Sequence, residues 1–212
     1  MVISNYLLKS VGIGVVEEVR RLVDGVVREF LRKVRRFKEV GSKSLHGIYI
    51  YDHVRDEWVL VQVDGGYFEP RREGYYVIYF DNTKCPACRK YDLYWFPYTK
   101  SVAGRLGGYY FIIVLCEWFA GRCRSEAASS SFTFYDIHAS PTTLLLHVKG
   151  GKVVYNEKYE GVLTAEELRK VVEGFADRAE KAERGERVEL PVKRGGEEEL
   201  IDLLRKLLLG GG

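Results

Sequence analysis

From Val15 to Lys38, apolar residues recur at Val19, Leu22, Val23, Val26, Val27, Phe30, Leu31, Val34 and Phe37, with most of the arginines opposite them. That 3.6-residue period predicts an amphipathic helix. Gly41-Ser42-Lys43-Ser44 ends the pattern, and "GIYIYDHVRDEWVLVQVDGG" then carries two β-rich runs around a polar turn, which predicts a hairpin. "YYVIYF", starting at Tyr75, is continuously apolar rather than alternating, so it predicts a strand buried on both faces. A helix is predicted from Cys88 to Leu106, with a break or kink at Pro97 and a stop at Gly107-Gly108. "YYFIIVLC" is a second buried strand, and a short helix is predicted around Ala127 to Phe132. In "TTLLLHVKGGKVVYNEKYEG", Gly150-Gly151 turns one strand into the next. Thr164-Ala165-Glu166-Glu167 is a capping box that opens a helix to about Arg184. Past Pro191 and Gly195-Gly196, Glu197 to Leu209 reads as a last amphipathic helix, acidic at its start and basic at Arg205-Lys206, as the helix dipole favours.

From Tyr75 onward the order is strand, helix, parallel strand, helix, strand, strand, helix. Such an order builds a right-handed crossover followed by an antiparallel hairpin at one sheet edge, hence an α/β protein with a central mixed sheet flanked by helices. Three segments are expected: 1–70, an N-terminal helix and β-hairpin extension; 71–185, the sheet domain; and 186–212, a linker with an amphipathic helix.

Composition adds limits. With 212 residues, 46% hydrophobic and 30% charged, the chain is long enough for a real core, and no apolar run approaches a membrane span. Lys9 inside the first apolar stretch, with acids soon after it, reads poorly as a secretory signal, so a cytoplasmic location is expected. A net charge of +3 argues against the whole chain as a nucleic-acid binder. One Gln and three Asn beside many Lys, Arg and Glu fit a protein of a hot environment, where intracellular disulfides are tolerated. The basic stretch "REFLRKVRRFK" is expected to solvate its arginines, with an acidic partner, nucleic acid or an anionic membrane surface as the alternatives. The leucine-rich tail needs burial against its own domain or a second copy, so a homodimer through the terminal helices is one expectation.

The chemistry concentrates in Cys85-Pro86-Ala87-Cys88, at the end of a predicted buried strand and the start of a helix. A thiolate, not a thiol, attacks disulfides, and a helix N-terminus offers amide donors and partial positive charge to such an anion. Lys84 and Arg89 add cationic neighbours. Pro86 restricts the turn and keeps the two sulfurs within bridging distance. The pair, the later Ser140-Pro141-Thr142 before a strand, and the Gly-Gly hairpin leading to a capped helix together resemble the thioredoxin-like thiol-disulfide oxidoreductases, over roughly Tyr75 to Phe175.

The resemblance implies a thioredoxin-like fold in which Cys85 is the nucleophile, Cys88 resolves the mixed disulfide, Pro141 is a cis-proline facing the pair, and the Ser140 backbone holds an extended substrate. It implies no cofactor and no metal, protein disulfides as substrates, and an upstream thiol reductase as partner. The family's acidic residue in the strand before the pair is replaced here by Tyr79, leaving Asp81 or Glu117 as candidate proton acceptors. Lys84 stands where an aromatic residue commonly precedes the first cysteine, which should change partner choice. Cys116 and Cys123 remain open to three readings: a structural disulfide, free thiols, or a second redox pair. A competing function is a non-catalytic binding or structural module, with zinc on the cysteines or a static Cys85–Cys88 bridge and the basic helix as its working surface.

Overall fold

The computed structural model describes residues 35–192. Most of the helix predicted over Val15–Lys38, and all of that over Glu197–Leu209, lies outside these residues. The chain divides into two compact units, 1–36 and 37–212, and the second carries the architecture below. Where the first predicted helix was expected to end, Arg36–Phe37 forms a two-residue strand, β1. Phe37 packs edge-on against Tyr49, ring centroids 5.6 Å apart, so its side chain belongs to the sheet core rather than to a helical stripe.

Six longer strands follow: β2 (Gly47–Asp52), β3 (Glu57–Gln62), β4 (Gly74–Asn82), β5 (Tyr109–Cys116), β6 (Thr142–Lys149) and β7 (Lys152–Glu160). The helices are α1 (Pro86–Val102), α2 (Glu126–Phe134), α3 (Ala165–Glu173) and α4 (Phe175–Glu183). One mixed sheet has the order β1-β3-β2-β5-β4-β6-β7. Its centre is the β4-α1-β5 crossover, with β4 and β5 parallel from Tyr75↔Tyr109 to Asn82↔Cys116. β6 runs antiparallel to β4, and β7 to β6.

The continuous apolar runs of β4 and β5 fill a core on each face. On one side Val77, Tyr79, Ile113 and Leu145 meet Tyr91 and Trp95 of α1, together with Leu168, Val171 and Val172 of α3. On the other, Ile78, Phe80, Ile112, Val114 and Leu144 meet Ala128 and Phe132 of α2.

Three expectations are corrected. First, the sheet does not begin at residue 71. β2 pairs with β5 from Gly47↔Leu115 to Ile50↔Ile112, so the hairpin is the outer part of the same sheet and not an appendage. The loop after it is tied down as well, because Val63 O accepts from Ser125 Oγ and Ala127 N at the start of α2, and Phe68 N donates to Ser131 Oγ. Second, Pro97 does not break α1, which runs through it to Val102. Both Pro97 and Leu93, whose carbonyl loses its helical partner, are exposed, so water can take the missing donor's place. Third, the helix expected from the capping box to Arg184 is two helices that meet at Gly174. A Cβ on Gly174 would lie 2.7 Å from Arg178 Nη1 and 3.1 Å from Lys170 O, so the Arg178 side chain occupies the space a longer residue would need.

Candidate active site

The end of β4 leads straight into the cysteine pair. Thr83 N donates to Cys116 O (2.9 Å) and Lys84 N to Glu117 O (3.3 Å), prolonging the β4–β5 ladder, and Cys85 N closes a turn onto Asn82 O (3.0 Å). Cys85 is then the extended N-cap residue of α1, with Pro86 in the first turn, where a missing N–H is no loss. The Cys85 Sγ accepts from Cys88 N at 3.2 Å, so the sulfur does the work of a capping oxygen and receives one of the helix's orphan amides. Cys85 is 4% exposed and Cys88 fully buried, and both are free thiols.

Residues 139–141 close over the pair. The Ser140–Pro141 peptide bond is cis. Ser140 O lies 3.4 Å from Cys85 Sγ, and Ser140 Oγ lies 3.0 Å from Cys88 Sγ. Pro141 O in turn accepts from Gly161 N at 2.7 Å, which fastens this loop to the end of β7.

Behind Cys88 is a group of ionisable side chains that no motif announces. Asp81 is completely buried, with both carboxylate oxygens 2.5 Å from Arg89 Nη2. Arg89 also reaches Asp92 Oδ2 through Nη1 at 3.2 Å. The Tyr79 hydroxyl lies 3.2 Å from both Cys88 O and Asp92 Oδ1. Burial, then the Asp81 charge, holds the Cys88 thiol well above its ordinary range. Burial also raises Asp81, against the opposing pull of Arg89. Burial and the charge of Asp81 push Asp92 up to about 7.

Of the two acids considered in the sequence, Asp81 is therefore the one whose charge acts on the Cys88 thiol. Glu117 is ion-paired with Arg122 in the next loop. Arg89, expected as a cation for Cys85, is turned toward the two carboxylates. Asp92 was missed, although its place one turn after Cys88 and three residues after Arg89 is a helix-neighbour signal that could have found it.

Cys116 and Cys123 form a disulfide, with Cα atoms 4.8 Å apart. It closes the loop Glu117–Arg122, which also carries a Trp118–Arg122 bridge, and Phe119 N donates to Asn82 Oδ1 at 2.7 Å. The bridge thus braces the loop lying against the strand end before Cys85. A zinc site on all four cysteines is not built, since two of them are consumed here. Among the described residues no three His, Cys, Asp or Glu side chains converge to hold a metal ion. Replacing Cys116 and Cys123 together by alanine is expected to lower stability by about 2–3 kcal/mol, the chain-entropy value for so short a loop. A shifted urea midpoint would register this; an unchanged midpoint would mean that backbone bonds alone hold the loop.

No protein-family model matches the sequence, and no curated protein matches it. Among solved structures the chain is similar to thioredoxin from Aeropyrum pernix, with 14% identity and a TM-score of 0.38 over 68% of this chain and 97% of that one. It is also similar to chloroplastic thioredoxin z, with 16% identity and a TM-score of 0.37 over 55% and 96%. Trichomonas vaginalis thioredoxin gives 16% identity and a TM-score of 0.33 over 51% and 79%. At these scores the likenesses carry no weight of their own, and the fold class rests on the chain's topology: a mixed α/β sheet flanked by helices, with a β-α-β crossover followed by an antiparallel hairpin and a capped helix. Among the described residues no helix is long and apolar enough to cross a membrane.

Proposed function

We propose that this protein is a thiol-disulfide oxidoreductase of thioredoxin-like type, which reduces or exchanges disulfides in protein substrates through Cys85 and Cys88. The observation that carries the reading is the contact of Ser140 with both sulfurs, its carbonyl at Cys85 and its hydroxyl at Cys88. A structural thiol pair has no need of a polar loop folded over its sulfurs, whereas an exchanging pair needs groups that align an incoming disulfide with the attacking sulfur.

In the proposed reaction the Cys85 thiolate attacks one sulfur of the substrate disulfide, forming a Cys85–substrate bond and releasing the other sulfur as a thiolate. Cys88 gives its proton to Asp81 and attacks Cys85 Sγ. The Cys85–Cys88 bond forms, the Cys85–substrate bond breaks, and the substrate sulfur leaves as a thiolate that takes a proton from water. Ser140 and Pro141 position the substrate chain across the pair. An upstream thiol reductase that regenerates the dithiol, a cytoplasmic location and self-association through the terminal segments belong to the same proposal and rest on the sequence alone. Insulin reduction by dithiothreitol tests it: the protein should accelerate precipitation of the freed chains at substoichiometric concentration, and no acceleration would count against the reading.

A further inference from the structure

We infer that Trp118 is the side chain by which this protein selects its substrates: polypeptides with a bulky apolar residue beside the attacked cystine, which the exposed indole covers while the disulfide lies against Cys85. This role rests on the exchange reading and adds to it the character of the substrate.

The placement follows from the end of the sheet. β4 and β5 are in register to Asn82↔Cys116, and past that point Lys84 N donates to Glu117 O at 3.3 Å. Glu117 directly precedes Trp118, as Lys84 precedes Cys85. Through that one hydrogen bond, ordinary backbone dimensions put the Cα atoms of Cys85 and Trp118 within roughly 11 Å of each other. Even a small, transient contact between proteins covers roughly 500 Å² on each partner, a disc about 13 Å in radius. A polypeptide that brings a disulfide to Cys85 therefore meets Trp118.

The loop holds that indole outward. The Cys116–Cys123 bond closes its base, and Trp118 pairs with Arg122 across it, N to O at 3.2 Å one way and 3.3 Å the other. Phe119, the next residue, has a φ of 50°, a left-handed conformation that is costly for a bulky side chain. Its N–H is taken by Asn82 Oδ1 at 2.7 Å, and its ring packs inward against Phe132, centroids 5.9 Å apart. The turn at Phe119 thus sends one aromatic into the core and leaves its neighbour out. Trp118 is 44% exposed, whereas Trp58 and Trp95, the other two tryptophans, are 1% and 0% exposed. Its ring meets Phe119 edge-on at 5.3 Å and belongs to neither core cluster. An exposed tryptophan on a braced loop offers a large apolar area with little conformational entropy to lose, the character of a residue that dominates a protein contact.

The test compares Trp118→Ala and Trp118→Phe with the parent chain on two synthetic peptides, each closed by one disulfide and differing only in a phenylalanine or a serine beside one cysteine. Dithiothreitol regenerates the protein, and the opened peptide is counted by mass. The parent should favour the phenylalanine peptide about tenfold or more in kcat/KM, with the difference residing in KM. In Trp118→Ala that preference should fall to within about twofold, and KM for insulin should rise several-fold. Trp118→Phe should restore most of both. Alkylation of Cys85 by iodoacetamide, a reagent too small to need the indole, should keep the parent's rate in both variants. A preference that survives in Trp118→Ala, or a parent that shows none, would overturn this role. So would an alkylation rate that falls as far as the peptide rates, since the indole would then act on the cysteine and not on the substrate. If the parent opens neither peptide and leaves insulin intact, the exchange reading itself falls, and this role with it.

Discussion

Cys85→Ser is expected to bring insulin reduction down to the rate of dithiothreitol alone, while Cys88→Ser retains the first attack and accumulates mixed disulfides. The asymmetry follows from where the two sulfurs sit. Cys85 receives an amide of the first turn of α1, an arrangement that favours an anion at that position. Serine there would still cap the helix, so the variant should fold and lose only chemistry. Cys88 is fully buried and its thiol is held protonated by burial and by Asp81, so it contributes only after a substrate is attached to its neighbour. Without it the Cys85–substrate bond has no internal attacker, and adducts recovered from extract should carry the mass of one bound partner. Equal loss in the two variants with no adduct in either would contradict these roles.

Glu157→Ala is expected to cost about 3–5 kcal/mol of stability, the range for removing one partner of a buried ion pair. Glu157 of β7 is 1% exposed at its side chain and Arg178 of α4 is 11% exposed. The guanidinium donates from Nε to Oε1 and from Nη2 to Oε2, each at 2.8 Å, and the carboxylate also accepts from the hydroxyls of Tyr155 and Tyr159. Arg178 further donates to Val171 O (2.5 Å) and Lys170 O (3.2 Å), covering carbonyls that the end of α3 leaves unpaired. Removing the carboxylate would strand a buried cation and two tyrosine hydroxyls together. The guanidinium chloride midpoint should fall accordingly, while the cysteine chemistry of the surviving folded protein is retained. A change below about 1 kcal/mol, the size of a surface pair, would mean that water reaches the site.

Much of the fold could be read from the sequence, because burial on both faces writes itself as continuous apolar runs in β4 and β5, and because the capping residue of α3 is local. What escaped depended on partners distant in the chain. The pairing of β2 with β5 leaves no mark on either strand, since each would read the same beside any neighbour. At the break, Arg178 reaches across to Glu157 and fills the space a side chain at Gly174 would need, a contact between residues of different elements. At the site, the cysteines and the Ser-Pro loop were visible as motifs. Asp92 joins the site only because α1 folds it back over β4, where Tyr79 and Arg89 meet it.

The most direct measurement is equilibration of the purified protein in defined thiol-disulfide redox buffers, followed by alkylation and a mass count of reactive thiols at each potential. The account predicts that Cys85 and Cys88 open and close together at one potential, between roughly −270 and −120 mV as for known thiol-disulfide exchangers. Two thiols that remain separately alkylated across that whole range would contradict it.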